Sequence, residues 1–244
     1  MRLPNHDTEI ATFFSGLKAR EDEHTAQIRA DLAPFWSGVI TRLEWARSIR
    51  ERYDASLSPR WNVLELIGPD ENRLSDIIAM FLSADDNHGQ GRIYLDLFMK
   101  AIGEDSLVGR RAIVRREDPT THIANCSRRV DITLDFGGFA VGIENKPWAL
   151  EQQDQVNDYC LHLSRKFQKN YKLIYLSGDG SEPVSIDGSK KAELIRERRL
   201  RVMAYPIEFL SWLKCCWAES RSEKMRLFLA DFVDYVQNNF RLVS

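Results

Sequence analysis

Residues 129–146 constrain the fold of this chain more than any other stretch. They read Arg-Val-Asp-Ile-Thr-Leu-Asp-Phe-Gly-Gly-Phe-Ala-Val-Gly-Ile-Glu-Asn-Lys. Residues 129–135 alternate apolar and polar strictly, as a half-buried strand does, and residues 139–146 form a second, mostly apolar strand. Gly137-Gly138 supplies the tight turn between them. Side chains alternate across a strand, so Asp131, Thr133 and Asp135 share one face while Ile132 and Leu134 share the other. On the return strand Glu144 and Lys146 share a face, with Val141 and Ile143 opposite. The hairpin therefore gathers three ionisable groups. Two carboxylates at close range repel unless a proton or a cation intervenes, and hard oxygen ligands select Mg2+ or Mn2+. On the strand pattern alone, a buried Glu–Lys ion pair accounts for these residues equally well.

The rest of the chain sets the fold class. Residues 7–30 and 35–57 read as two helices, the first capped by Asp7-Thr8-Glu9 and the second started by Pro34. Ser58-Pro59 breaks the pattern, and residues 61–67 form a short apolar element. A helix from Glu71 to Phe81 carries Leu74, Ile77, Ile78 and Phe81 on one face. Residues 92–102 read as another helix, 112–115 as a strand, 150–168 as a helix, and 171–177 as a buried strand. Residues 190–199 read as helical and 200–205 as a strand, and two helices fill the remainder. The sum is an α/β core behind a helical front.

Composition excludes several classes. Hydrophobic residues are 43% and charged residues 29% of the 244, which suits a globular chain rather than a disordered one. No apolar run approaches the roughly 20 residues of a membrane span, and Met1–Asp7 lack the apolar stretch of a secretory signal. Cys126, Cys160, Cys215 and Cys216 form no CxxC pair, so they read as reduced, buried thiols of a cytoplasmic protein. The formal charge is −2, but it is uneven: residues 1–109 carry 12 Lys+Arg against 18 Asp+Glu, and residues 110–244 carry 22 against 18. The positive charge comes in blocks, Arg110 to Arg116, Arg128-Arg129, Arg165 to Lys172, and Lys190 to Arg201. Such blocks suit phosphate contacts or solvated faces. The five histidines show no HExxH or HxH spacing. No GxSxG elbow and no Walker loop occurs, and no strand leads into Gly89-Gln90-Gly91.

Asp131, twelve intervening residues and then Glu144-Asn145-Lys146 resemble the D-x(n)-E-x-K signature of the PD-(D/E)XK nuclease superfamily. Gln155-Val156-Asn157-Asp158-Tyr159 resembles the Q-h-x-x-Y motif of that family's exonuclease-like branch, and its Gln and Tyr share a helix face. The helix opened by Asp70-Glu71 resembles the first core helix, where phosphate-cutting members carry a glutamate that reaches the metal site. The run from Phe81-Leu82-Ser83 to Asn87-His88-Gly89-Gln90-Gly91 resembles a bacterial subgroup of the family. Val130 stands where the family name has its proline, a position many members vary. The resemblance spans roughly residues 60–178.

What the resemblance implies is specific. The fold is a restriction-endonuclease-like αβββαβ core with a mixed sheet, over residues 59–206, with a helical extension at 1–58 and C-terminal helices at 207–244 packed on the core. The activity is Mg2+- or Mn2+-dependent hydrolysis of DNA, in defence against foreign DNA or in repair. Asp131, Glu144, the Asn145 carbonyl and Glu71 hold the metal, and Lys146 positions the attacking water. Gln155 and Tyr159 hold the substrate strand or the catalytic groups. Arg115, Arg116, Arg128, Arg129, Lys166 and Lys169 are the candidate contacts to the DNA backbone. Glu71 also has a plain reading as a carboxylate favoured at a helix N-terminus, and His88 reads as a shaper of its turn. The alternative is a nuclease-fold module, weak or inactive, that binds nucleic acid or a protein. The N-terminal helices, with Trp36, Trp45 and Trp61, are where a second copy or a protein partner could dock.

Overall fold

The computed structural model describes residues 6–58, 60–124, 127–148 and 151–242, with the side chains of 6–14 and of residue 57 left aside. The cap expected of Asp7-Thr8-Glu9, and the readings of Pro59, Cys126 and Leu150, lie outside what is described. Two compact units emerge, Met1–Trp61 and Asn62–Ser244.

The first unit is one helix, α1 (His6–Leu57), with Pro34 inside it. The sequence pattern suggested two helices parted at Pro34, and the structure corrects that. Proline's fixed φ is itself helical, so continuing the helix forfeits one hydrogen bond and crowds the carbonyl four residues back. Strong formers on both sides, Ala26, Ala30, Leu32 and Ala33 before and Leu43 and Ala46 after, carry the helix across.

The second unit begins with α2 (Val63–Ile67), capped by the Asn62 side chain, which accepts from the Leu64 and Glu65 amides. Helix α3 (Glu71–Leu82) follows, capped by Asp70 through the Arg73 amide. Leu74, Ile78 and Phe81 are fully buried on its inner face. Helix α4 (Ile93–Ala101) leads to the sheet. Its strands are β1 (Ile113–Pro119), β2 (Arg129–Asp135), β3 (Ala140–Lys146), β4 (Tyr171–Ser177) and β5 (Leu200–Ala204), in spatial order 1-2-3-4-5. The first three pair antiparallel, and β3–β4 and β4–β5 pair parallel. Helix α5 (Gln155–Phe167) crosses from β3 to β4, and α6 (Gly188–Arg196) crosses from β4 to β5. The sheet is thus mixed, and the α3–βββ–α5–β4 order is a restriction-endonuclease-like core with helical additions.

Every residue of β3 is buried, as the central strand of a sheet covered on both faces requires. On one face Ile132, Val141, Ile143 and Ile174 pack with α3, α4 and the C-terminal elements. These elements are a π-turn (Tyr205–Phe209), α7 (Leu210–Glu219) and α8 (Glu223–Asn239). Phe81 meets Tyr94, Trp212 and Phe232 ring to ring, so the last helices share the core that α3 begins. On the other face Val130, Leu173 and Tyr175 pack under α5. A Cβ at Gly142 would lie 3.0 Å from Leu163 and 3.1 Å from Leu173. That close approach of α5 to β3 sets the reach of the side chains between them.

Candidate active site

The hairpin ladder stops early, and the site occupies the gap. The β2–β3 register runs from Asp135↔Ala140 to Ile132↔Ile143. One step further, the Asp131 side chain takes over the ladder's role, its Oδ2 accepting the Asn145 amide at 2.7 Å. The strands diverge there, leaving Asp131, Glu144 and Lys146 at the strand ends, between Glu71 of α3 and Gln155 of α5.

Lys146 Nζ lies 2.9 Å from Glu144 Oε1 and donates to Glu71 Oε1 at 2.7 Å. Helix α3 therefore delivers Glu71 to the hairpin, across 75 positions of sequence. Glu144 is fully buried, Asp131 and Lys146 nearly so. Burial pushes the Glu144 carboxyl well above its ordinary range, and the neighbouring Asp131 adds to that. Burial also raises Asp131 to about 6, against the Asn145 amide and Lys146, which favour its charge. Burial works against the Lys146 ammonium too, but Glu144 and Glu71 outweigh it and hold the lysine above its usual pKa. Three carboxyl groups thus crowd one ammonium, and burial with mutual repulsion disfavours the charge of two of them.

Gln155 and Tyr159 are both buried against this cluster. Gln155 Nε2 donates to Glu144 Oε1 at 2.7 Å and lies 3.0 Å from the Tyr159 hydroxyl. Tyr159 in turn donates to the Arg129 carbonyl at 2.8 Å. Both side chains are thus turned inward, Gln155 onto the Glu144 carboxyl and Tyr159 onto the β2 backbone.

The cationic candidates divide in a similar way. Arg116 donates to the Asp131 carbonyl and to Asp76, 2.8 Å away, and Arg128 pairs with Asp158 at 2.7 Å. Both are spent inside the protein. Arg115 reaches Asp135 at 3.2 Å and Lys166 approaches Asp118 at 3.6 Å. Arg129 is more open, with Glu117 3.7 Å away, and Lys169 is exposed. Lys172, in one of the basic blocks, is instead buried against Glu104 and the Ile102 carbonyl. His88 is structural, with Nε2 2.8 Å from the Ser83 carbonyl and Nδ1 accepting the Gln90 amide.

Some functional side chains escaped the sequence reading. Asn145 was assigned only a carbonyl, yet its side chain is fully buried on the face away from Glu144. It donates to Ser75 Oγ at 2.9 Å and to the Glu71 carbonyl at 3.3 Å, and accepts from the Tyr205 hydroxyl at 2.7 Å. It ties α3 to β3 and so fixes Glu71 relative to Lys146. The polar character of Asn145 inside an apolar strand was the available signal.

The donors suit a hard divalent cation. Glu144 Oε2 is buried without a hydrogen-bond partner, an atom that ordinarily demands one, and it belongs to a carboxylate beside two others. Among the described residues no three acidic, His or Cys groups already stand at ion-cage spacing. Lys146 fills the space between Glu71 and Glu144, so the ammonium would have to yield one of them.

A family model described as the PD-(D/E)XK nuclease superfamily matches residues 61–234. The match extends past the motifs into α7 and most of α8, in keeping with their share of the core. No curated protein matches the chain.

Proposed function

Because the chain belongs to the PD-(D/E)XK nuclease superfamily, we propose that it is a metal-dependent deoxyribonuclease. The observation that carries this reading is the convergence of Glu71, Glu144 and Lys146 within 2.7–2.9 Å, from a helix and a strand far apart in sequence. Asp131, Glu144, the Asn145 carbonyl and Glu71 would hold Mg2+ or Mn2+. When bound, the ion acidifies water and withdraws charge from the phosphate. Lys146 Nζ holds the attacking water and neutralises charge developing on the phosphate oxygens. Gln155 keeps Glu144 oriented, and Asn145 keeps α3 and β3 in step. Of the candidate cations Arg129 and Lys169 stay open to solvent, and Arg129, two residues from Asp131, is the one beside the site, where it would meet a DNA backbone.

The setting we propose is the cytoplasm, in defence against foreign DNA or in repair. The three described cysteines are free, and no described helix is long and apolar enough to cross a membrane. The exposed apolar residues of α1, Trp36 and Trp45 among them, offer a place for a second copy or a protein partner. A second reading, the catalytically weak binding module, is favoured by one observation, the occupation of the inter-carboxylate space by Lys146.

The test is cleavage of linear, circular and single-stranded DNA with Mg2+, Mn2+ or EDTA, by wild type and by Lys146→Ala. Cleavage that needs metal and is lost in the variant supports the nuclease, and the circular substrate separates endo from exo action. A folded wild type that binds DNA yet cuts none with either metal overturns it in favour of the binding module.

A further inference from the structure

The chain just beyond Lys146 makes a second feature of the same site. A Cβ on Gly178 would lie 1.8 Å from the Pro147 carbonyl oxygen. The Gly178 amide donates to the Lys146 carbonyl at 2.9 Å. The segment leaving β3 is thereby clamped against the end of β4, with proline's fixed φ adding stiffness. Trp148 follows immediately, and its side chain is 53% exposed.

That exposure is one-sided. The Trp148 ring stacks on Phe240, with centroids 5.3 Å apart and planes at 23°. Phe240 stacks on Tyr205 at 4.3 Å and 25°, and Tyr205 holds the Asn145 side chain. A column of three rings thus runs from the buried brace of the site out to solvent, ending on indole. Indole is the best of the aromatic faces for stacking, and here its backing is already ordered.

A cavity of about 250 Å³ lies beside it, bounded by Lys146, Trp148, Tyr175 and Ser177, with Glu151 and Asp179 further in. Its walls are fixed. Glu151 accepts from the Tyr175 hydroxyl and from the Val184 and Ser185 amides, and Asp179 from the Ser177 hydroxyl and the Ser181 amide. Among the described residues Lys146 is its one lining cation, while Glu151, Asp179 and Glu182 line it too. A phosphate would meet carboxylates here. A flat, uncharged ring bearing amino hydrogens would meet an indole face and acceptor oxygens. The volume falls below the 300–1,000 Å³ of ordinary ligand pockets, room for one base rather than a base pair.

We propose that Trp148 and this cavity form a subsite for one unstacked nucleobase next to the phosphate at Lys146, so that the strand enters unpaired. The inference rests on the nuclease reading of the adjoining site, which names the polymer. Stacking on an aromatic face is sequence-tolerant, so the subsite selects single-stranded or frayed DNA over a paired duplex.

The test is direct binding in EDTA, where no cleavage occurs. Fluorescence anisotropy is read with a short labelled single-stranded oligonucleotide, a set carrying one abasic position moved along it, and a blunt duplex. Trp148→Ala is expected to weaken single-strand binding about 10-fold, Trp148→Phe to restore most of it, and duplex binding to change little. In wild type one abasic position should weaken binding more than the others, and Trp148→Ala should erase that difference. Equal binding by wild type and Trp148→Ala overturns the subsite, as does an abasic penalty that survives the substitution. Metal-dependent cleavage with an unaltered binding profile would sink the subsite alone. The expected binding profile without cleavage under any metal would sink the nuclease reading alone.

Discussion

Replacing Asp131 by Asn should make the metal-free protein more stable while destroying its activity. Asp131 is 7% exposed, and burial raises its pKa from 3.8 to about 6. The unfolded chain therefore ionises this group first as pH rises. Stability linked to it is complete below pH 3.8 and is lost as pH climbs to about 6. A shift of roughly two pH units corresponds to about 3 kcal/mol. Asn keeps an oxygen to accept the Asn145 amide, which Asp131 Oδ2 accepts at 2.7 Å, so the ladder end survives. In EDTA at pH 8 the variant should exceed wild type by up to about 3 kcal/mol, equivalent to roughly 6–12 °C in Tm. At pH 4 the two should nearly coincide. Calorimetry across that range, with and without Mg2+, is the assay. Mg2+ should raise the Tm of wild type far more than that of the variant, and cleavage by the variant should be lost. A variant no more stable than wild type at pH 8 would refute the argument. So would a gap as wide at pH 4 as at pH 8, because packing rather than charge would then be the cause.

Two other outcomes follow from side chains that touch no substrate. Gln155→Ala removes the 2.7 Å donor to Glu144 and should cut kcat about 10- to 100-fold, in line with lost support of a metal ligand; an unchanged kcat in a folded variant would deny Gln155 that role. His162 is fully buried in α5, and burial first, then His122, lowers it to about 4. The unfolded chain takes up its proton first as pH falls, so up to about 3 kcal/mol is lost between pH 6.5 and 4. His162→Gln should lose less stability by urea titration over that window, and an identical loss would refute the shift.

The hairpin was legible because a two-residue period dictates which side chains share a face, and the D-x(n)-E-x-K resemblance singled out Asp131, Glu144 and Lys146 upon it. Gln155 and Tyr159 were legible in spacing but not in role, since burial depends on how closely α5 approaches Gly142. The Asn145 brace was hidden because its partners, Ser75 and Tyr205, lie 70 and 60 positions away, and local pattern carries no such pairing. The same holds for the ion pairs of Arg116 with Asp76 and of Arg128 with Asp158, whose partners lie far along the chain. At Pro34 a true local signal was outweighed by its neighbours' helix propensity. The C-terminal helices were expected to pack on the core, but that Trp212 and Phe232 would meet Phe81 there is a pairing no local pattern carries.

Tyr205 holds Asn145, and Asn145 holds the stretch that carries Glu71. The ribosome makes Glu71 first, Lys146 after it and Tyr205 last, so the centre cannot close until nearly the whole second unit has emerged. A truncated or half-folded chain owns the acidic residues but not their arrangement. Closure of the centre is thus a late event of folding, set by the last-made of its supports.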